Sequence, residues 1–261
     1  MITGLALLAL AIAPADVASL SERAQPTVVK LVAEDARGQE ESSGTGFFVS
    51  ADGRIVTNHH VVEGASRLVA LVQGGRRLAV VGVLARDEGS DLAVLQAEAG
   101  SYPFLTLGGD ESLVVGTPVA VIGSPVGLEG TLSTGIVSAI RKNGTDIHGE
   151  QKASWQLQIT APISPGSSGS PVLLEDGRVV AVAVGKVLGG EGLNFAIPAT
   201  LATALLARVA PGAKPEPLHA STALVRNLAI SAVFFLVIAA GFRLGRRTGR
   251  GRDETRSTAR H

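Results

Sequence analysis

Glu175-Asp176-Gly177-Arg178-Val179-Val180-Ala181-Val182-Ala183-Val184 reads as a tight turn followed by an unbroken apolar run. Glycine takes positive φ without a Cβ penalty, so the Asp-Gly pair marks a hairpin turn. The run is short and rich in valine, which favours a strand over a helix. The same grammar recurs upstream. Ala51-Asp52-Gly53-Arg54 precedes Ile55-Val56-Thr57, and short apolar or period-two runs occupy Thr27–Val32, Leu68–Val72, Leu78–Leu84, Val119–Ile122 and Trp155–Ile159. Such runs return roughly every 10–15 residues with no helical periodicity between them. The pattern predicts an all-β sandwich or barrel pair over Leu20–Ala210 rather than βαβ units. One helix is expected to close the body over Ala199–Val209, where Leu201, Leu205 and Leu206 stand at helical spacing. No repeat of solenoid period is present.

Composition agrees with that reading. The chain has 261 residues, 46% of them hydrophobic and 18% charged, which excludes a disordered chain. Its 32 glycines and 3% aromatics suit a fold with many tight turns. The absence of cysteine excludes a disulfide framework, a thiolate metal site and a cysteine nucleophile. Net charge is zero but unevenly placed. Arg243–His261 holds seven arginines and two acids, so this tail is +5 and the rest of the chain −5. The body therefore has no nucleic-acid footprint.

The two ends point to a membrane. Residues 1–18 open with an apolar run from Leu5 to Ala13, and Ala13 and Ala15 form a small-residue cleavage pattern. They read as a signal peptide or an N-terminal anchor, with a helix packed on the body as the other alternative. Near the C-terminus, Leu228–Phe242 carries no charge. Extended back to Ala220, it is long enough for a transmembrane helix over 220–242, followed by a basic cytoplasmic tail over 243–261. The alternative, a buried core helix, does not explain the arginines that follow. Pro211, Pro215 and Pro217 mark 211–219 as a stiff, extended linker. This topology exports the body to the periplasm or exterior and keeps the C-terminus inside.

Three segments carry candidate chemistry. Ser164-Pro165-Gly166-Ser167-Ser168-Gly169-Ser170-Pro171 can present a serine hydroxyl on a glycine turn whose N–H groups converge on one point. A polar Gly/Ser loop is the plain alternative. In Ile55-Val56-Thr57-Asn58-His59-His60-Val61-Val62, two adjacent histidines on a strand would face opposite ways, so one at most serves a given site and a metal pair is not expected. In Ser90-Asp91-Leu92-Ala93-Val94-Leu95, the acid before a strand is a turn residue unless it orients a histidine.

Taken together in the order His, Asp, Ser, these segments resemble the HtrA/Deg-type trypsin-like serine proteases. The nucleophile segment of that family is similar to Pro165–Pro171, its histidine segment to Thr57–Val62, and its acid segment is present intact as Ser90–Leu95. Gly44-Thr45-Gly46-Phe47, Ile122-Gly123-Ser124-Pro125, Gly135-Ile136-Val137-Ser138 and Asn194-Phe195-Ala196-Ile197-Pro198 extend the match over Ala24–Ala210. Ser167 and Ser170 depart from the usual Asn and Gly. Ser170 is expected to restrict the turn.

The resemblance implies two perpendicular six-stranded β-barrels, a trypsin-like protease domain over 20–210, and an active site between the barrels. It implies a triad of His60, Asp91 and Ser168, an oxyanion hole from the N–H groups of Gly166 and Ser168, and a pocket involving Ile163, Val184 and Asn194. No metal or organic cofactor is expected. Polypeptide substrates are, and a homo-oligomer is compatible with the resemblance, since relatives often form trimers. The 51 residues after Ala210 are taken up by linker, span and tail, so no PDZ module is expected among them. Two rival functions stay open: an idle protease fold acting as a peptide-binding scaffold, and a serine esterase. Because Thr160–Pro165 holds no acid, a small or medium aliphatic side chain is expected before the cut bond. Glu191 is the residue that could reverse that preference.

Overall fold

The computed structural model describes residues 14–35, 37–109, 113–124, 130–141, 156–186 and 193–218. All lie in the first of the chain's two units, Met1–His219. Helix α1 (Pro14–Ala24) and a single 3-10 turn (Gln25–Thr27) lead into the strands. The first six are β1 (Val28–Glu34), β2 (Glu40–Phe48), β3 (Arg54–Thr57), β4 (Arg67–Leu71), β5 (Arg77–Asp87) and β6 (Leu92–Ala97). They close into an antiparallel barrel in the order β1-β2-β3-β6-β5-β4. The next six are β7 (Pro118–Gly123), β8 (Thr131–Arg141), β9 (Gln156–Ile159), β10 (Pro171–Leu173), β11 (Val179–Lys186) and β12 (Asn194–Pro198). They close a second barrel by the same connectivity, with β10 pairing to β7.

Packing explains why the strands read as apolar runs instead of clean alternations. Each barrel has its own interior: Leu31, Ile55, Ala93 and Leu95 in the first, and Val119, Val121, Leu157 and Val180 in the second. A third cluster lies between the barrels. There Phe47, Val56, Leu92 and Val94 meet Ala120, Ile122, Val179 and Val182. Neighbouring residues of one strand thus serve two cores, Ile55 inside and Val56 between, so both faces are apolar. At roughly 25 cal/mol per Å² of apolar surface, this double burial is the main stabilising term.

Two helices seal the same central cluster. Leu20 and Ala24 of α1 are buried in it. Residues 1–13 of the expected signal peptide lie outside the described residues. Helix α3 (Ala199–Ala207) buries Ala199, Ala202 and Leu205 in the cluster and packs against β5, β6 and β11. A third, short helix, α2 (His59–Val62), replaces the strand expected through the histidines. Four residues are too few to show a helical period, so their apolar character read as strand.

The Pro-rich segment also differs from expectation. It turns at Pro211–Gly212, where Ala213 N–H donates to Ala210 O at 3.0 Å, and the stretch that follows up to Leu218 lies against the first barrel. Glu216 and Val83 exchange backbone hydrogen bonds of 2.8 Å each way, and Leu218 packs against the first barrel's core. Gly82 makes room for this approach, since a Cβ there would collide with the Glu216 carbonyl. Among the described residues no helix is long and apolar enough to cross a membrane, and the expected span over 220–242 and tail over 243–261 lie outside them. Gly82→Ala is expected to expel residues 215–218 while the barrel stays closed, because φ at Gly82 is not left-handed. Amide hydrogen exchange at Val83 and Glu216 should then accelerate at least about tenfold. Unchanged protection at both amides would count against the docking.

Candidate active site

The site is assembled from the first barrel's β3–α2 and β5–β6 connections and the second barrel's β9–β10 connection. After Thr57 the chain stays extended through Asn58 and then turns into α2, which carries His60. Across from it the chain tightens after β5: Ser90 N–H donates to Asp87 Oδ1 at 3.3 Å, and Asp91 N–H to Glu88 O at 3.2 Å. Asp91 then adopts φ 54°, the one left-handed non-glycine residue among those described. That conformation costs an L-residue about 1–2 kcal/mol, and aspartate is among the few types that visit it.

Four hydrogen bonds offset this cost. The Asp91 carbonyl accepts from His59 N–H at 3.1 Å and from Asn58 Nδ2 at 3.0 Å. Its carboxylate accepts His60 N–H on Oδ1 at 2.9 Å and meets His60 Nδ1 with Oδ2 at 2.7 Å. An ionised carboxylate only accepts, so Nδ1 carries the ring proton and Nε2 of the neutral imidazole keeps its lone pair. Asp91 is sheltered, with 17% of its side chain exposed, while His60 opens to solvent at 45%. His59 turns elsewhere. Its Nε2 is 3.9 Å from Glu88 Oε1, and only 12% of its side chain is exposed.

The serine segment folds as a compact turn. Ser167 N–H donates to Ser164 O at 2.9 Å and Ser170 N–H to Ser167 O at 3.0 Å. Two bonds of 2.8 Å, Gly169 N–H to Ala183 O and Ala183 N–H to Ser170 O, pin the turn to β11. Gly166 has φ 92° and Gly169 φ 87°, which explains glycine at both positions. A Cβ on Gly169 would also strike the Thr45 carbonyl. Among the described residues, the N–H groups of Gly166 and Ser168 have no acceptor. Between them the Ser167 N–H is taken up by Ser164 O, which closes the turn around Gly166.

The two departures from the family pattern fit this geometry. Ser167 is buried, and its Oγ accepts Ser164 N–H at 3.3 Å, closing the turn. Ser170 is fully buried at an ordinary φ, so its position does not demand glycine. Its Oγ occupies the space a Cβ on Gly123 would need. The expected restriction of the turn by Ser170 is thus accommodated by the glycine opposite.

The structure brings His60 and Asp91 into contact. The Ser168 hydroxyl is instead donated to Val184 O at 3.1 Å. Val184 therefore reaches the site through its carbonyl, while its side chain packs against the inter-barrel cluster. Ile163 is buried among the second barrel's core residues, and Asn194 is buried with Nδ2 on Ala161 O at 2.9 Å. Of the three residues expected in the pocket, Val184 thus stands apart by its side chain. Glu191 lies outside the described residues. Sequence reasoning gave no role to Asn58 or Thr45. Both stand inside quoted motifs, but the hydrogen bonds of their side chains span 33 residues or more and leave no local signal.

Residues 44–182 match the trypsin-like peptidase domain, and the chain belongs to that family. Its similarity runs to particular bacterial relatives. It is 38% identical over 174 residues to a probable periplasmic serine endoprotease, DegP-like, of Chlamydia muridarum, covering 65% of this chain and 34% of the relative. It is 36% identical over 162 residues to the putative serine protease HhoB of Synechocystis, covering 61% and 38%. The crystal structure of the serine endoprotease from Yersinia pestis superposes with a TM-score of 0.64 at 28% identity, covering 76% of this chain and 67% of that one. The chain spans about a third of the length of the curated relatives it matches.

Proposed function

We propose that the chain is a serine endopeptidase acting on exported or misfolded polypeptides, with His60, Asp91 and Ser168 as its catalytic triad. The observation that carries this reading is the His60 Nδ1–Asp91 Oδ2 contact of 2.7 Å, which leaves Nε2 as a base on the exposed edge of the ring. The family match to a peptidase domain supports the reaction class.

In this reading the extended substrate pairs with β11. Its N–H takes over the Val184 carbonyl, and rotation about the Ser168 Cα–Cβ bond carries the freed hydroxyl to His60. The oxygen attacks the scissile carbonyl carbon as its proton passes to His60 Nε2. The developing oxyanion lies against the N–H groups of Gly166 and Ser168. Collapse breaks the C–N bond, and the leaving amine takes the proton from His60. Water, deprotonated by the same nitrogen, then cleaves the acyl-enzyme and regenerates the Ser168 hydroxyl. Asp91 holds the imidazole tautomer and stabilises its charged form. A purely scaffolding role would require none of these groups, so it is not favoured.

In the same reading the enzyme is anchored. The uncharged run Leu228–Phe242 and the arginines after it support a single span with a cytoplasmic C-terminus and a periplasmic or extracellular catalytic body. The periplasmic description of several relatives supports that side for the body.

Ser168→Ala and His60→Ala should each lower peptide hydrolysis about 10⁴-fold or more. His59→Ala should stay within about tenfold, because its bond to Asp91 is made by the main chain and persists. A phosphonate probe should label wild type and not Ser168→Ala; inactivity of His59→Ala alone would reverse the histidine assignment. Peptide-library profiling should favour Val, Ala or Ile before the cut bond, since a buried cation there meets no counter-charge on Thr160–Pro165. Dominant cleavage after Arg or Lys would refute this pocket and implicate Glu191. An epitope placed after His261 should survive protease added to intact spheroplasts, and its digestion without lysis would refute the topology.

A further inference from the structure

We propose that the Thr45 hydroxyl is a positioning residue that sets the oxyanion-binding turn from the opposite barrel; the proposal rests on the endopeptidase reading above. Thr45 lies in β2, fully buried, and touches the serine turn twice. Its N–H donates to Ser168 O at 2.8 Å, and its Oγ1 donates to Gly166 O at 2.7 Å. The same Oγ1 accepts Ser124 N–H at 3.2 Å. A hydroxyl has one proton and two lone pairs, so with Ser124 as donor the proton is committed to the Gly166 carbonyl.

That commitment matters because the bonds that close the turn, Ser167 N–H to Ser164 O and Ser164 N–H to Ser167 Oγ, span Gly166 without engaging its own polar groups. Pro165 before it has no N–H, and the Gly166 N–H has no acceptor among the described residues. The bond from Thr45 is the one hydrogen bond Gly166 makes among them. Glycine populates either sign of φ with similar ease. The turn closed by Ser167 N–H on Ser164 O, with Pro165 second and Gly166 third, itself suits the φ of 92°, and the Thr45 hydroxyl adds a tie from the opposite barrel that fixes the direction of the Gly166 carbonyl.

The position of Thr45 extends this role. Its neighbour Gly44 is the contact point between α2 and the serine turn: a Cβ there would lie 2.7 Å from the Val61 side chain and 3.2 Å from Ser168 O. The Thr45 carbonyl in turn accepts the Thr57 hydroxyl at 2.7 Å, immediately ahead of the histidines. Gly44–Thr45 thus sets the spacing between the segment that carries His60 and the turn that carries Ser168. Misplacing reacting groups by about 1 Å costs on the order of 10²-fold in rate.

The test compares Thr45→Val, which keeps the branched shape without the hydroxyl, with Thr45→Ser, which keeps the hydroxyl without the methyl. Thr45→Val should lower kcat about 10²-fold, the scale of a lost oxyanion donor, with KM within about threefold. Affinity for a peptide boronate, which mimics the tetrahedral state, should fall by a similar factor. Thr45→Ser should remain within about fivefold of wild type. If Thr45→Val does not fold, Thr45→Cys, a side chain of similar size with a weak donor, should lose about tenfold. A kcat in Thr45→Val or Thr45→Cys equal to that of Thr45→Ser overturns the proposal, as does an equal loss of KM and boronate affinity. Turnover that survives Ser168→Ala overturns the endopeptidase reading and the role of Thr45 with it. Turnover abolished by Ser168→Ala but intact without the Thr45 hydroxyl overturns the Thr45 role alone.

Discussion

Burial of both faces of the same strands is the constraint on which the structure depends. Each barrel must fill its own interior, yet Phe47, Val56, Ile122 and Val182 must also be apolar outside it, because the two barrels bury those residues against each other. The contact cannot slip without exposing one core or the other. This is why groups held by separate barrels can be kept in register. His60 and Asp91 come from the first barrel and Ser168 from the second, and the apolar seam behind them is the reference frame for all three.

The seam also explains what the sequence makes legible. Val179–Val184 and Leu92–Leu95 read easily as strands because two-sided burial removes polar interruptions. The runs and the turns between them predict a sandwich or a barrel pair, and six strands to a barrel is what the family resemblance adds. Barrel closure is less accessible, since the pairings of β1 with β4 and of β7 with β10 join segments with little mark of their own. The shared strand order of the two barrels leaves no sequence repeat, because packing constrains apolar character and not identity. The histidine helix was missed for want of length. The prolines of 211–218 restrict that stretch, but composition does not say where it turns or what it lies against.

At the candidate site, residue types were more legible than conformations. His60, Asp91 and Ser168 stand in recognisable motifs, and the glycines at 166 and 169 announce a left-handed turn. The left-handed Asp91 was not foreseeable, as its strain is relieved by main-chain groups of residues 59 and 60 and the amide of Asn58. Nor was the accommodation of Ser170 by Gly123, which joins positions 47 apart in the chain. Val184 shows the same limit: its side chain and its carbonyl serve different sides of the molecule, and only the former is written in the sequence.

The pairing of Glu216 with Val83 has a mechanical meaning. A pull on the chain beyond residue 218 does not load α3 first. It meets the two backbone bonds of that bridge and the packing of Leu218, and is carried into β5 of the first barrel. Two hydrogen bonds, each contributing about 1 kcal/mol net, yield well before a closed barrel does. The bridge therefore acts as a fuse: moderate tension is borne by the barrel that holds His60 and Asp91, and greater tension releases a short length of slack before either barrel is strained.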